Sequence, residues 1–208
     1  MAEQTADTIN KERMTSTTAK DIKRMKRIGA WHGTAVLAAL TLFGAGVTWA
    51  TASDTILAHA VALGNAWVAA TVMASILHEW GHFAGAKLSG AIAPVAKKPM
   101  RLYFMFRFDM ENNSTEQFVW MSLGGIIANW TLVILLLILV PLNTLAAALL
   151  VAVAVSKAVS VSLFEVPIVT RVRQSGEPQR ELDHQLENHP FTQTPGLVVG
   201  ALVFLALT

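Results

Sequence analysis

Four stretches of this chain stay apolar for so long that a bilayer is their natural solvent. They lie at 28–50, 56–88, 118–140 and 145–170, and each exceeds the roughly 20 residues a helix needs to cross a hydrocarbon core about 30 Å thick. The expected fold is therefore an all-α polytopic membrane protein with four to five transmembrane helices. The second run is too long for one upright span, so it should tilt or begin as an interfacial turn. The fifth candidate, 195–208, gives only about 21 Å of helix, enough for a short or half-inserted element. Of the 208 residues, 53% are hydrophobic and 14% charged. That fits one compact membrane domain and leaves no length for an added soluble module.

Between and around the spans the chain is polar. Residues 1–27 read as a partly disordered cytoplasmic tail, with no apolar core of signal-peptide length. Residues 171–194 read as a polar, mobile cytoplasmic linker. There is no cysteine, which excludes disulfides, thiolate metal ligands and a cysteine nucleophile. The formal charge is +2, but the basic residues sit beside apolar runs, so they serve orientation in a lipid bilayer and not nucleic acid. Lys20, Lys23, Arg24, Lys26 and Arg27 precede the first span. Lys87, Lys97, Lys98 and Arg101 follow the second, and Arg171, Arg173 and Arg180 follow the fourth. Placing all three groups in the cytoplasm lets the spans alternate without conflict, with the N-terminus inside.

One segment has a different period. Over 101–110, Leu102, Phe104, Phe106, Phe108 and Met110 alternate with Arg101, Tyr103, Met105, Arg107 and Asp109. This is a strand pattern. Lys97-Lys98-Pro99 can close a hairpin with 91–96, so a short β-hairpin or re-entrant strand is expected after the second span.

The chemistry is concentrated in His78-Glu79-Trp80-Gly81-His82. On a helix the two histidines differ by about 6 Å in height and about 40° in direction, so two imidazoles can bind one metal from one face. Glu79 lies beside them, placed to hold a water that the metal acidifies. This is the H-E-x-x-H arrangement of zinc metalloproteases. In an apolar helix each ionisable group costs about 2.5–3.5 kcal/mol on insertion scales, which favours a functional role over a passive polar network. A catalytic zinc takes a third protein ligand. Glu165 is the one carboxylate within the fourth span, and its spacing from Arg171 places it within a few Å of His78 in depth. Pro167, two residues on, should loosen the helix there. Glu165 is thus the expected third ligand.

These features resemble the site-2 protease family of intramembrane zinc metalloproteases. The resemblance covers about residues 60–175. It rests on the His78–His82 motif in an apolar helix, on Gly124-Gly125-Ile126-Ile127-Ala128-Asn129 in the next span, and on a carboxylate near the cytoplasmic end of the span after that. The family usually supplies its third ligand from a Leu-Asp-Gly segment that follows Asn and Pro. Here Phe164-Glu165-Val166-Pro167 would replace it. A second alignment runs through Pro178-Gln179-Arg180-Glu181-Leu182-Asp183 and offers Asp183 in polar surroundings outside the membrane, with His184, Glu187 and His189 close by in a solvated loop.

The resemblance implies cleavage of a transmembrane protein or peptide within or near its membrane span. Glu79 would activate water at Zn2+ held by His78, His82 and Glu165, near the cytoplasmic leaflet. Asn129 would hydrogen-bond substrate backbone or the oxyanion, and the strand carrying Phe104 and Phe106 would bind the unwound substrate by strand addition. The family has a comparable re-entrant β element after its zinc helix. Two other readings use the same residues: a metal or proton transporter, and an inactive membrane scaffold. His32 and His59 fall near helix ends, Trp67, Trp120 and Trp130 suit packing or interfacial anchoring, and Lys157 sits in mid-span without an assigned role. Nothing in the sequence specifies an oligomeric state.

Overall fold

The computed structural model describes residues 2–96, 105–187 and 189–208, and the side chains of 19–96, 105–187 and 192–208. Six helices follow in order: α1 (Ala2–Ser53), α2 (Ile56–Leu88), α3 (Thr115–Leu139), α4 (Leu145–Ser175), α5 (Pro178–Glu187) and α6 (His189–Leu207). Four of them, within α1 and in α2, α3 and α4, are long and apolar enough to cross a membrane. A fifth span arises if α5 and α6 count as one broken crossing.

Helix ends fall where the local chemistry sets them. Thr55 accepts a bond from Ala58 N and starts α2. Ser114 and Gln117 form a reciprocal capping box that starts α3, which satisfies two otherwise unpaired N–H groups. Thr144 caps α4, and Gly176, at φ 70°, closes it in the left-handed conformation that glycine adopts without strain. The second run is one uninterrupted helix of 33 residues.

Several expectations need correction. The tail at 1–27 lies on the path of α1, which begins at Ala2 and meets no proline or glycine before Gly29. The fourth helix, expected to end at 170, runs on to Ser175 with Pro167 inside it. The segment 171–194, read as a linker, contains a helix. Its centre is α5, amphipathic and folded against the end of α4. Arg171 donates to Glu181 Oε2 at 3.0 Å and to Gln185 Oε1 at 2.6 Å, while Leu182 packs on the cluster of Ile168, Val169 and Val172. The last helix begins at His189, six residues before the expected start, with Pro195 inside it.

The strand region is also altered. Among the described residues there is one isolated antiparallel bridge, Val95 with Phe106, and no regular strand. Ala96 N donates to Met105 O at 2.9 Å, Arg107 N to Pro94 O at 3.1 Å and Asp109 N to Ile92 O at 3.2 Å. The proposed turn, Lys97-Lys98-Pro99, and Arg101, Leu102, Tyr103 and Phe104 lie outside the described residues. The expected two-sided alternation fails at Met105, which is buried together with Phe106. This segment is covered on both faces, packing with Phe83, Ala86, Ala91 and Val95, and α1 reaches the same cluster through Met25 and Ile28.

The helices approach closely because small residues face one another. Ala58, Ala62, Ala66, Ala69, Ala70 and Ala74 of α2 and Ala146, Ala154 and Ala158 of α4 belong to one buried cluster. Helices in lipid gain little from hydrophobic burial, so close van der Waals contact of this kind holds them together. The closest approach is between α2 and α3. A Cβ on Gly81 would collide with Gly124 O, one on Gly124 with Gly81 O, and one on Gly85 with Trp120 O.

Candidate metal centre

The contact at Gly81 and Gly124 decides where the motif histidines point. His78 and His82 flank Gly81 on α2, and α3 presents bare backbone to both rings at Gly125. A Cβ there would lie 2.5 Å from His82 Cε1 and 2.8 Å from His78 Cε1. The two imidazole Nε2 atoms stand 3.0 Å apart. From α4, which packs on both α2 and α3, Glu165 brings Oε1 to 3.3 Å from His78 Nε2 and 3.1 Å from His82 Nε2. Glu165 is buried.

Three atoms at these separations match a tetrahedral metal site. Ligands about 2.0–2.1 Å from one ion lie about 3.3 Å from each other. Hydrogen bonding leads to the same conclusion. His82 Nδ1 lies 2.8 Å from Met121 O; a carbonyl only accepts, so Nδ1 carries the hydrogen and Nε2 turns a lone pair toward the centre. On His78, Nδ1 lies 3.0 Å from Asn129 Nδ2, while Asn129 Oδ1 is buried without a partner. Amide oxygen and nitrogen are exchanged by a half-turn that only the hydrogen-bond network can decide. With Oδ1 against His78, Nδ1–H donates to it and the second Nε2 lone pair also faces inward. The exchange gives up the bond from Asn129 Nδ2 to Gly125 O, which at 3.4 Å is weak. Two lone pairs and a carboxylate oxygen then converge, an arrangement suited to a cation. Glu165 Oε2 is likewise buried with no partner, a costly state for a carboxylate lacking a counter-charge. His78, His82 and Glu165 can hold a metal ion.

The structure therefore brings Glu165, and not Asp183, to the histidines. Asp183 is exposed on α5 and accepts from Gln179 Nε2 at 2.9 Å. Neither His184 nor Glu187 joins a metal-binding group among the described residues, and the side chain of His189 lies outside them. Nor is Glu165 paired with Arg171, which is taken by Glu181 and Gln185. Glu79 is buried beside the three donors, close enough to His82 and Glu165 for their charges to act on it. Phe106 packs against Phe83 with ring centres 5.4 Å apart and planes tilted by 56°, so the paired segment is fixed to the residue following His82. Phe104 lies outside the described residues.

Sequence reasoning missed three supports. Gly125 clears space for the rings, Met121 O orients His82, and Trp80, inside the motif, donates from Nε1 to His32 Nδ1 at 3.0 Å and ties α1 to the centre. The small-residue spacing of Gly81 with Gly85 and the Gly124-Gly125 pair in the next span were visible signals of the close helix pairing. No protein-family model, curated protein or solved structure matches this chain.

Proposed function

We propose that the chain is an intramembrane zinc endopeptidase that hydrolyses peptide bonds within or near the transmembrane segments of other proteins. The observation that carries this reading is the convergence of His78 Nε2, His82 Nε2 and Glu165 Oε1 within 3.3 Å of one another, next to the buried carboxylate of Glu79. Two imidazoles and one carboxylate are a donor set suited to a catalytic zinc. Bound there, zinc would supply a Lewis acid for the scissile carbonyl and bring a water's pKa down to about 7.

The protein's own groups do the rest. Glu79 takes a proton from the attacking water and returns it to the leaving amine. Asn129 Oδ1 holds His78 in the metal-binding tautomer, leaving its NH2 for substrate backbone. The segments 92–96 and 105–109, joined by one antiparallel bridge and packed against Phe83 of α2, would be where an unwound substrate adds as a strand. Basic residues support a cytoplasmic position for the site. Arg27 lies five residues from His32, Lys87 five from His82 and Arg171 six from Glu165, so the centre sits about 7–9 Å inside the charged ring.

Purified protein should contain about one zinc per chain. Glu79→Gln should keep that zinc and lower cleavage of a single-span reporter by about 10²–10⁴-fold. Wild-type protein that binds zinc yet conducts metal or protons across vesicles without cleaving would replace this reading with a transporter. The buried, unpartnered Thr71 Oγ1, seven residues before His78 and about 10 Å from it along α2, is the observation that favours that second reading.

A further inference from the structure

Lys157 is the ionisable group that the metal centre does not use. It lies in α4, 12 residues after Leu145 and 14 before Arg171, about 18 and 21 Å along the helix. A lysine side chain reaches about 6 Å, so it cannot carry its ammonium to either end by snorkelling. Lys157 is exposed. No ion pair or side-chain hydrogen bond of the described residues includes it.

Its surroundings on α4 are unusual. At helical spacing it shares a row with Ala146, Leu150, Val153, Val161, Phe164 and Ile168. Ala146, Leu150 and Ile168 are buried; Val153, Val161 and Phe164 are half-buried. The row is thus covered by neighbouring helices at both ends and open in the middle. Beside it runs the seam where Gly196 and Gly200 of α6 meet Ser160, Ser156 and Ala152. Lys157 is the exposed residue at the middle of this row, with half-buried Val153 and Val161 one turn to either side.

An ammonium at mid-bilayer depth calls for a carboxylate, and among the described residues no carboxylate in the spans is left for it. Glu79 and Glu165 are committed at the metal centre. Asp54, beyond the far end of α1, pairs with His59 at 3.0 Å, and Asp21 pairs with Arg24. A second copy of the chain fails for the same reason. We propose that the opening at Lys157 receives a transmembrane helix of a different protein, the substrate in the reading above, which carries an Asp or Glu at mid-span. The inference rests on that reading for its link to cleavage. Lys157 lies eight residues from Glu165 on α4, about 12 Å toward the far side of the membrane. The substrate's acidic residue accordingly lies about eight helical residues from the scissile bond, on the side away from the basic ring.

The experiment uses full-length protein in vesicles and single-span reporter peptides, with one Asp moved through the span and Asn at the same positions as control. Cleavage should show a KM about tenfold lower for Asp than for Asn at the matching position. Lys157→Met should abolish that difference, Lys157→Arg should keep it, and Lys157→Glu should transfer it to a reporter bearing Lys there. Affinity of the same fluorescent reporters for Glu79→Gln protein gives a readout independent of hydrolysis. Equal affinity for Asp and Asn reporters, or discrimination that survives in Lys157→Met, overturns the proposal. Asp preference in binding with no cleavage by wild-type protein upholds the helix site and removes the protease reading instead.

Discussion

The two halves of α2 pack by the same device and use it differently. In the half nearer Ile56, the buried residues are Ala58, Ala62, Ala66, Ala69, Ala70 and Ala74, and small size there brings apolar surfaces together. In the half nearer Leu88, Gly81 and Gly85 bring backbone against α3, and the room created beside that contact holds two imidazoles and, from α4, a carboxylate. Close packing yields adhesion in one half and a polar centre in the other. The difference is what occupies the flanks of the contact: alanine methyls in the first, His78 and His82 in the second.

Removing the carboxylate breaks the second half most severely. Glu165→Ala should lower zinc affinity by at least about 10²-fold, because a centre of two histidines lacks the third donor of a catalytic site. Helical content should persist, and metal titration followed by circular dichroism checks both. A single methyl separates the halves next. Gly125→Ala places a carbon against both rings and should reduce metal affinity about 10–100-fold, whereas Ala66→Ser in the other half should leave it unchanged. Zinc retention after dialysis against a chelator distinguishes them; equal loss in both variants would erase the contrast.

Asn129 sharpens it further. Asn129→Leu should weaken metal binding about tenfold, in line with other groups that orient metal-bound histidines. Asn129→Asp should restore most of the loss if the amide oxygen is what meets His78 Nδ1–H, and none if the amide nitrogen does. The absorption spectrum of the Co2+-substituted protein reads the geometry directly. The smallest effect lies outside the spans. Asp109 accepts from the Asn112 side chain and from the N–H groups of Asn112 and Glu111, and these bonds, that from the Asn112 side chain foremost, hold its carboxyl below the usual aspartate range. A depressed acid stabilises the folded turn above about pH 4 and loses that contribution as pH falls through its lowered value. Exchange of the Glu111 and Asn112 amides should therefore gain protection between acid and neutral pH, while the metal helices show no matching change from this group.

Much of the membrane domain was legible because bilayer thickness acts as a ruler. Long apolar runs marked the four spans, and counting residues inward from Arg171 brought Glu165 to the depth of the histidines without any knowledge of packing. The ruler says nothing about direction around the helix axis, so the space that Gly125 leaves for both rings and the pairing of Asn129 with His78 stayed hidden. The α5 segment misled for another reason. Its polarity suggested solvent, yet Glu181 and Gln185, four apart, are buried because one guanidinium, Arg171, satisfies both. Met105 defeated the alternating pattern because α1 and α2 cover the paired segment from both sides.

The contacts of Gly81 with Gly124 and of Gly85 with Trp120 also have a consequence for traffic. Backbone already fills the space between α2 and α3 beside the histidines, so that seam is shut to any incoming polypeptide. Under the proposed function, a chain bound for His78 and His82 would arrive from the α4 side, past the carboxylate of Glu165, its point of entry set by two glycines that never touch it.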